Sequence, residues 1–192
     1  MNGSRLTEQQ IQAVVREVIA NAKQREESYL PRAGHLTDTQ KKLMRPFFPE
    51  KLLEQVRVLE LKQERMPNPE YQRTAMRRGY RFMIDFSHMA DITHPQLIIF
   101  QESLTPRLLF HALVHVTQYA VLGLERYLDI YVRAFMATGI YTSVPFEVQA
   151  FRLDERFSAN PEKPFFVEAE VRQWAEKGNY LVSEQGGRRH GT

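Results

Sequence analysis

A chain of 192 residues has the length of one ordinary domain, with room for a helical extension. Its 43% hydrophobic and 26% charged residues are typical of a soluble globular protein, and a formal charge of +3 is too small and too evenly mixed with acids to point to a nucleic-acid partner. With no cysteine, no disulfide can form and any metal site must use His, Asp or Glu.

The start, Met1 to Gln10, is polar and lacks the apolar stretch of a secretion signal. No run approaches the roughly 18 apolar residues that suggest a membrane span. The expectation is a soluble, cytoplasmic protein. Thr7 followed by Gln10 resembles a capping box, and Ile11, Val14, Val15, Val18 and Ile19 form one apolar stripe, which predicts an amphipathic helix packed on the domain. Residues 24–35, with Pro31 and Gly34, read as a connection. A short helix is expected from Thr37 or Asp38 to near Pro46, and another from Pro49-Glu50 through Leu53. Val56 to Leu61 alternates apolar and polar as a strand does. Lys62 to Arg78 is a polar excursion. Tyr80 to Phe86 and Gln96 to Phe100 are strand candidates, separated by a loop holding His88 and His94.

From Thr105 the pattern is helical. Thr105 suits an N-cap, Pro106 the first helical position, and Gly123 the stop. Further helices are expected over about Glu125 to Thr138, Pro145 to Ser158 and Pro164 to Lys177, the last with Val167, Val171 and Trp174 on one side. Phe165, Phe166 and Trp174 read as helix core. The tail beyond Gly178 reads as disordered. The division is an N-terminal helical arm (1–35), a main domain (36–178) and a tail (179–192).

The chemistry concentrates in Leu109 to Tyr119. His111 and His115, four apart on a helix, stand one turn above the other on one face, so both imidazoles can converge on one metal ion. Alone the pair is weak evidence. The helix around it is apolar, with Leu108, Leu109, Leu113, Val114 and Val116, and buried imidazoles need partners. A helix starting at Pro145 presents Glu147 in its first turn, where a carboxylate can supply a third ligand and leave a fourth zinc position open to water.

The segment resembles the His-Glu-x-x-His helix of the gluzincin metallopeptidases, in which a glutamate on a later helix completes the zinc site. It is more closely similar to small bacterial zincin-like proteins reading His-Glu-Leu-Val-His-Val-x-Gln-Tyr, then a Leu-Gly break and a Pro-x-Glu-x-x-Ala helix. The matching residues are His111, Leu113, Val114, His115, Val116, Gln118, Tyr119, Leu122-Gly123, Pro145, Glu147 and Ala150. Phe48 to Leu53 and Asp91-Ile92-Thr93 also look familiar from that group. The likeness covers about Pro46 to Arg156. It implies zinc (Zn2+) held by His111, His115 and Glu147, and a peptide or protein substrate.

Position 112 departs from the pattern. The family's general base is a glutamate there, and Ala112 can neither take nor deliver a proton. Two origins fit: a natural pseudopeptidase that recognises polypeptides without cutting them, or a Glu→Ala change made to silence a peptidase. The intact remainder of the motif favours the second. A structural helical domain without metal is the third reading.

Tyr141, His94 and Tyr119 are candidate oxyanion donors. Tyr119 is the weakest, and Tyr141 and His94 otherwise read as ordinary loop residues. Asp154, two turns beyond Glu147, is placed to orient a histidine, although the thermolysin-like pattern would put that acid at position 151, which is Phe151. His88 and His94 suit no common ligand spacing and read as surface histidines. Arg73, Arg77, Arg78 and Arg81 read as a solvated basic face. The fold expected is α+β and zincin-like: a small, mostly antiparallel sheet from Val56 to Phe100 packed on the zinc helix, its edge at Leu97 to Phe100 open to an extended peptide. The oligomeric state is left open.

Overall fold

The computed structural model describes residues 7–62, 64–70, 72 and 84–180. Among these residues the chain is α+β, with seven α-helices and one four-stranded sheet. The helices are α1 (Glu8–Tyr29), α2 (Asp38–Met44), α3 (Glu50–Gln55), α4 (Pro106–Leu122), α5 (Leu124–Thr138), α6 (Pro145–Ala159) and α7 (Val167–Glu176). The strands are β1 (Gly34–His35), β2 (Arg57–Glu60), β3 (Asp91–Thr93) and β4 (Leu97–Phe100).

The helix starts follow the capping chemistry. Thr7 and Gln10 exchange both capping-box hydrogen bonds, and Thr37 and Gln40 repeat the arrangement on α2. The helix α1 runs past Lys23 to Tyr29, so much of the expected connection over residues 24–35 is helix, and its last two residues form β1. Val18, Ile19 and Ala22 of α1 pack with Tyr119, Tyr127 and Tyr131, while Glu8 pairs with Arg133 and Lys23 with Glu125.

The sheet order is β1-β2-β4-β3. The two outer pairings are antiparallel, but the central pairing, β2 with β4, is parallel, so the sheet is mixed. The long excursion after β2 makes this feasible, because a parallel pair needs a crossover of about a dozen residues or more. Leu97–Phe100 is therefore not the sheet edge expected from the sequence. It is paired on both sides, and the outermost strands are β1 and β3. All four of its residues are fully buried, which fits an unbroken apolar run covered on both faces. Ile98 and Phe100 join Leu109, Phe110, Leu113 and Val114 of α4 in the main core. Leu97 and Ile99 turn the other way, towards Leu61, Met66 and Ile92.

Other local expectations shift as well. The loop holding His88 and His94 contains β3. Of the Tyr80 to Phe86 strand only Ile84, Asp85 and Phe86 are described, and Phe86 opens a 3-10 turn rather than ending a strand. The basic cluster Arg73, Arg77, Arg78 and Arg81 lies outside the described residues, as does the tail from residue 181. Tyr180, assigned to the tail, is buried with its ring beside Trp174. Phe165 is buried as expected, but Phe166 is 52% exposed and takes no part in the core.

Gly123 separates α4 from α5 with φ +79 and ψ 156, a backbone conformation open essentially only to glycine. The two helices bend there by 116°, which returns α5 alongside the site. Among the described residues no single helix is long and apolar enough to cross a membrane.

Candidate metal centre

Every residue of α4 from Leu109 to Tyr119 is buried, as expected for a helix apolar on all sides. His111 and His115 therefore lie inside the protein, 6% and 4% exposed. The helix α6 brings Glu147 to them from its first turn, after Pro145 at the first helical position. The helix dipole favours a carboxylate there.

Three atoms meet. The Nε2 nitrogens of His111 and His115 are 3.1 Å apart, and Oε2 of Glu147 lies 3.3 Å from the His115 nitrogen and 3.5 Å from that of His111. Around a tetrahedral zinc with bonds of roughly 2.0–2.2 Å, neighbouring ligand atoms sit about 3.3–3.5 Å apart. The triangle has the size of one face of that tetrahedron.

The surroundings fix which atoms face inwards. His111 Nδ1 is 2.9 Å from Oδ2 of Asp154, and Asp154 is held in turn by Arg107. His115 Nδ1 is 2.8 Å from Oε1 of Gln118. The Gln118 amide is oriented by its NH2 group, which donates to the Phe146 carbonyl and to Gln149 Oε1. An oxygen acceptor at each Nδ1 keeps the proton there and leaves both Nε2 lone pairs pointing at each other. The Tyr127 hydroxyl stands 3.2 Å from His115 Nδ1 as a second neighbour. Tyr131 donates to Oε1 of Glu147 at 2.9 Å, while Oε2 is buried without a hydrogen bond. Opposed lone pairs beside an orphaned buried carboxylate oxygen are repulsive unless a cation lies between them.

The electrostatics agree. Burial pushes the His111 imidazole down, but the carboxylates of Asp154 and Glu147 outweigh it and lift its pKa to about 9. Burial raises the Glu147 carboxyl, yet His115 and His111 hold it well below the usual carboxylate range. The pocket is built for positive charge, whether a proton or a metal ion supplies it. Residues, distances and the unpaired oxygen fit a divalent ion, and the two-nitrogen, one-oxygen donor set suits zinc.

Of the other candidates, Ala112 is fully buried in the main core with Ile98 and Phe100. Tyr141 lies in a 3-10 turn before α6 and lines both cavities that reach the triad. Burial raises its hydroxyl strongly, with Glu147 and Asp91 adding to the effect. His94 is elsewhere. It lines neither cavity, and at 2% exposure it is not the surface histidine expected. Burial, with the Arg25 charge, depresses its pKa to about 3. His88 is exposed and pairs with Asp85. Tyr119 packs, its ring 3.9 Å from that of Tyr127. Phe151 leans on the His111 ring at 4.7 Å, and the acid that the thermolysin-like pattern would put there is supplied by Asp154.

Several functional neighbours had no assigned role in the sequence. Gln118 is three residues past His115, a spacing that places it beside the ligand face. Tyr127 and Tyr131, four apart on α5, carried a similar signal. Asp91 on β3 lines both cavities at the triad. Burial raises its carboxyl, and the nearby His111 and His115 pull it back.

The larger cavity has a volume of about 590 Å³ and opens over His111, with Asp91, Leu108, Tyr141 and Phe151 among its walls. The smaller, of about 120 Å³, runs behind His115 and Glu147 between α1 and α5. Compared with protein families, curated proteins and solved structures, the chain matches none.

Proposed function

We propose that this chain is a zinc-binding protein of gluzincin metallopeptidase type, with His111, His115 and Glu147 as ligands, and that it receives peptide or protein chains in the cleft over His111. The observation that carries this reading is the triangle of two Nε2 atoms and one carboxylate oxygen with edges of 3.1, 3.3 and 3.5 Å. Bound zinc would polarise a substrate carbonyl and lower the pKa of water at the open position. Tyr141, at the wall shared by both cavities, is the best placed oxyanion donor; His94 is withdrawn from that role. The strand β3, which among the described residues pairs only with β4, offers its free edge to an extended peptide. Ala112 leaves α4 without the family's proton carrier, so the chain is an inactive form of such a peptidase.

Metal analysis of the purified protein beside His115→Ala is the test. One zinc per chain, lost in the variant, is expected. A protein that takes up no stoichiometric zinc when offered it overturns the reading. Ala112→Glu then divides the two origins: hydrolysis of a peptide mixture gained with Glu and not with Gln marks a silenced peptidase. No gain with either marks a natural pseudopeptidase that binds polypeptides.

A further inference from the structure

We infer that Asp91, on the edge strand β3, is the proton-accepting carboxylate of this site, acting from across the cleft where α4 has Ala112. The inference rests on the metal reading above and adds a proton acceptor for ligand binding that the resemblance does not supply.

The register carries the argument. In the antiparallel pairing of β3 with β4, Asp91 lies opposite Phe100 and Thr93 opposite Ile98. Paired residues share a face of the sheet, and Phe100 and Ile98 pack in the core cluster that contains Ala112. Asp91 is therefore directed to the side of the sheet covered by α4. Ile92 between them faces the opposite cluster with Leu97 and Ile99.

Asp91 also lies on the walls of both cavities, the one over His111 and the one behind His115 and Glu147. Its carboxylate is not among the ligand atoms that lie within 4.8 Å of one another. It stands outside the ligand set but inside the cleft, where a proton acceptor belongs and a ligand does not. The Thr93 hydroxyl donates to Oδ2 at 2.9 Å and steadies the side chain, while Oδ1 accepts no hydrogen bond among the described residues.

An acidic ligand that binds beside the triad as its anion would give its proton to Oδ1 of Asp91, which becomes the neutral carboxylic acid. The same acceptor takes the proton of a hydroxamic acid that binds as its anion, so it can be measured without turnover.

The test compares the zinc-loaded chain with Asp91→Asn and Asp91→Glu, reading zinc affinity by competition and acetohydroxamate affinity by calorimetry. In Asp91→Asn we expect zinc affinity within about threefold of the parent and acetohydroxamate binding weaker by about tenfold or more, the loss expected when one partner of a charge-assisted hydrogen bond is removed. In Asp91→Glu we expect hydroxamate binding largely restored, which also guards against a variant that merely misfolds. Unchanged hydroxamate affinity in Asp91→Asn overturns the inference. So does a loss of zinc binding of about tenfold or more, since that is how a group that orients or supplies a ligand behaves. If the parent chain takes up no zinc, the metal reading itself fails, an outcome visible before any Asp91 variant is made.

Discussion

His111 Nδ1 lies 2.9 Å from Oδ2 of Asp154, which sits two helical turns past Glu147 on α6. One helix thus supplies both the Glu147 carboxylate beside the two histidines and the carboxylate that orients one of them. Losing such a partner usually costs about 10–100-fold in metal affinity. Asp154→Asn is predicted to weaken zinc binding by that factor with the fold intact. Arg107→Ala, which removes the half-exposed guanidinium behind Asp154, should weaken it by less. Competition titrations with a zinc chelator measure both, and an Asp154→Asn affinity equal to the parent's would remove Asp154 from the site.

The meeting of His111, His115 and Glu147 was legible because helical spacing is local: His111 and His115 are related by one turn, and Pro145 fixes where the helix bearing Glu147 begins. The surroundings were less so. Asp154, two turns past Glu147, is placed by the sequence to orient a histidine, as it does. That the histidine is His111 follows from α6 lying along α4, a packing that the residue order does not encode. The parallel pairing of β2 with β4 depends on a crossover whose path no local pattern records, and it turned Leu97–Phe100 from an edge into an interior strand. His94 looked like a loop residue because burial is a property of what covers a residue. Its depressed pKa follows from that covering.

The metal-free protein should lose stability as pH rises. His111 has a folded-state pKa of about 9 against an ordinary value near 6.5. A raised histidine contributes stability that is fully present below the unfolded value and is lost as pH climbs through the folded one. Glu147 is shifted the other way, so its contribution is present above the ordinary carboxylate range and is lost at lower pH. Melting in the presence of a chelator should therefore be highest near pH 5–6 and fall towards pH 9, within about those bounds. Zinc is expected to reverse the trend, because binding at the triad would displace the His111 proton and strengthen as pH rises. A chelated protein whose melting temperature rises between about pH 6.5 and 9 would contradict the charge arrangement.

Phe110 sits at the centre of the main core with no exposure. Its ring stacks on Phe157 at 4.4 Å and meets Phe47 edge-on at 5.5 Å. Phe110→Ala removes these contacts and leaves a cavity, and it is predicted to cost about 3–5 kcal/mol. Chemical denaturation should show the loss at an unchanged slope. Because Phe110 directly precedes His111, zinc affinity should also drop. A variant as stable as the parent would mean that this aromatic cluster is not the core.

Gly123 gives the last prediction. An added Cβ there meets nothing within 4 Å, so Gly123→Ala tests backbone conformation alone. At φ +79 and ψ 156 an alanine is strained by roughly 1–3 kcal/mol. For a chain of this length that amounts to a fall in melting temperature of about 2–12 °C. The strain can be relieved only by rotating α5 relative to α4, and α5 carries Tyr131, whose hydroxyl holds Oε1 of Glu147. Zinc affinity should consequently fall together with stability. By contrast Gly34→Ala, with open space around its Cβ and no positive φ, should leave both unchanged. Equal behaviour of the two variants would show that the bend at Gly123 does not set the position of Glu147.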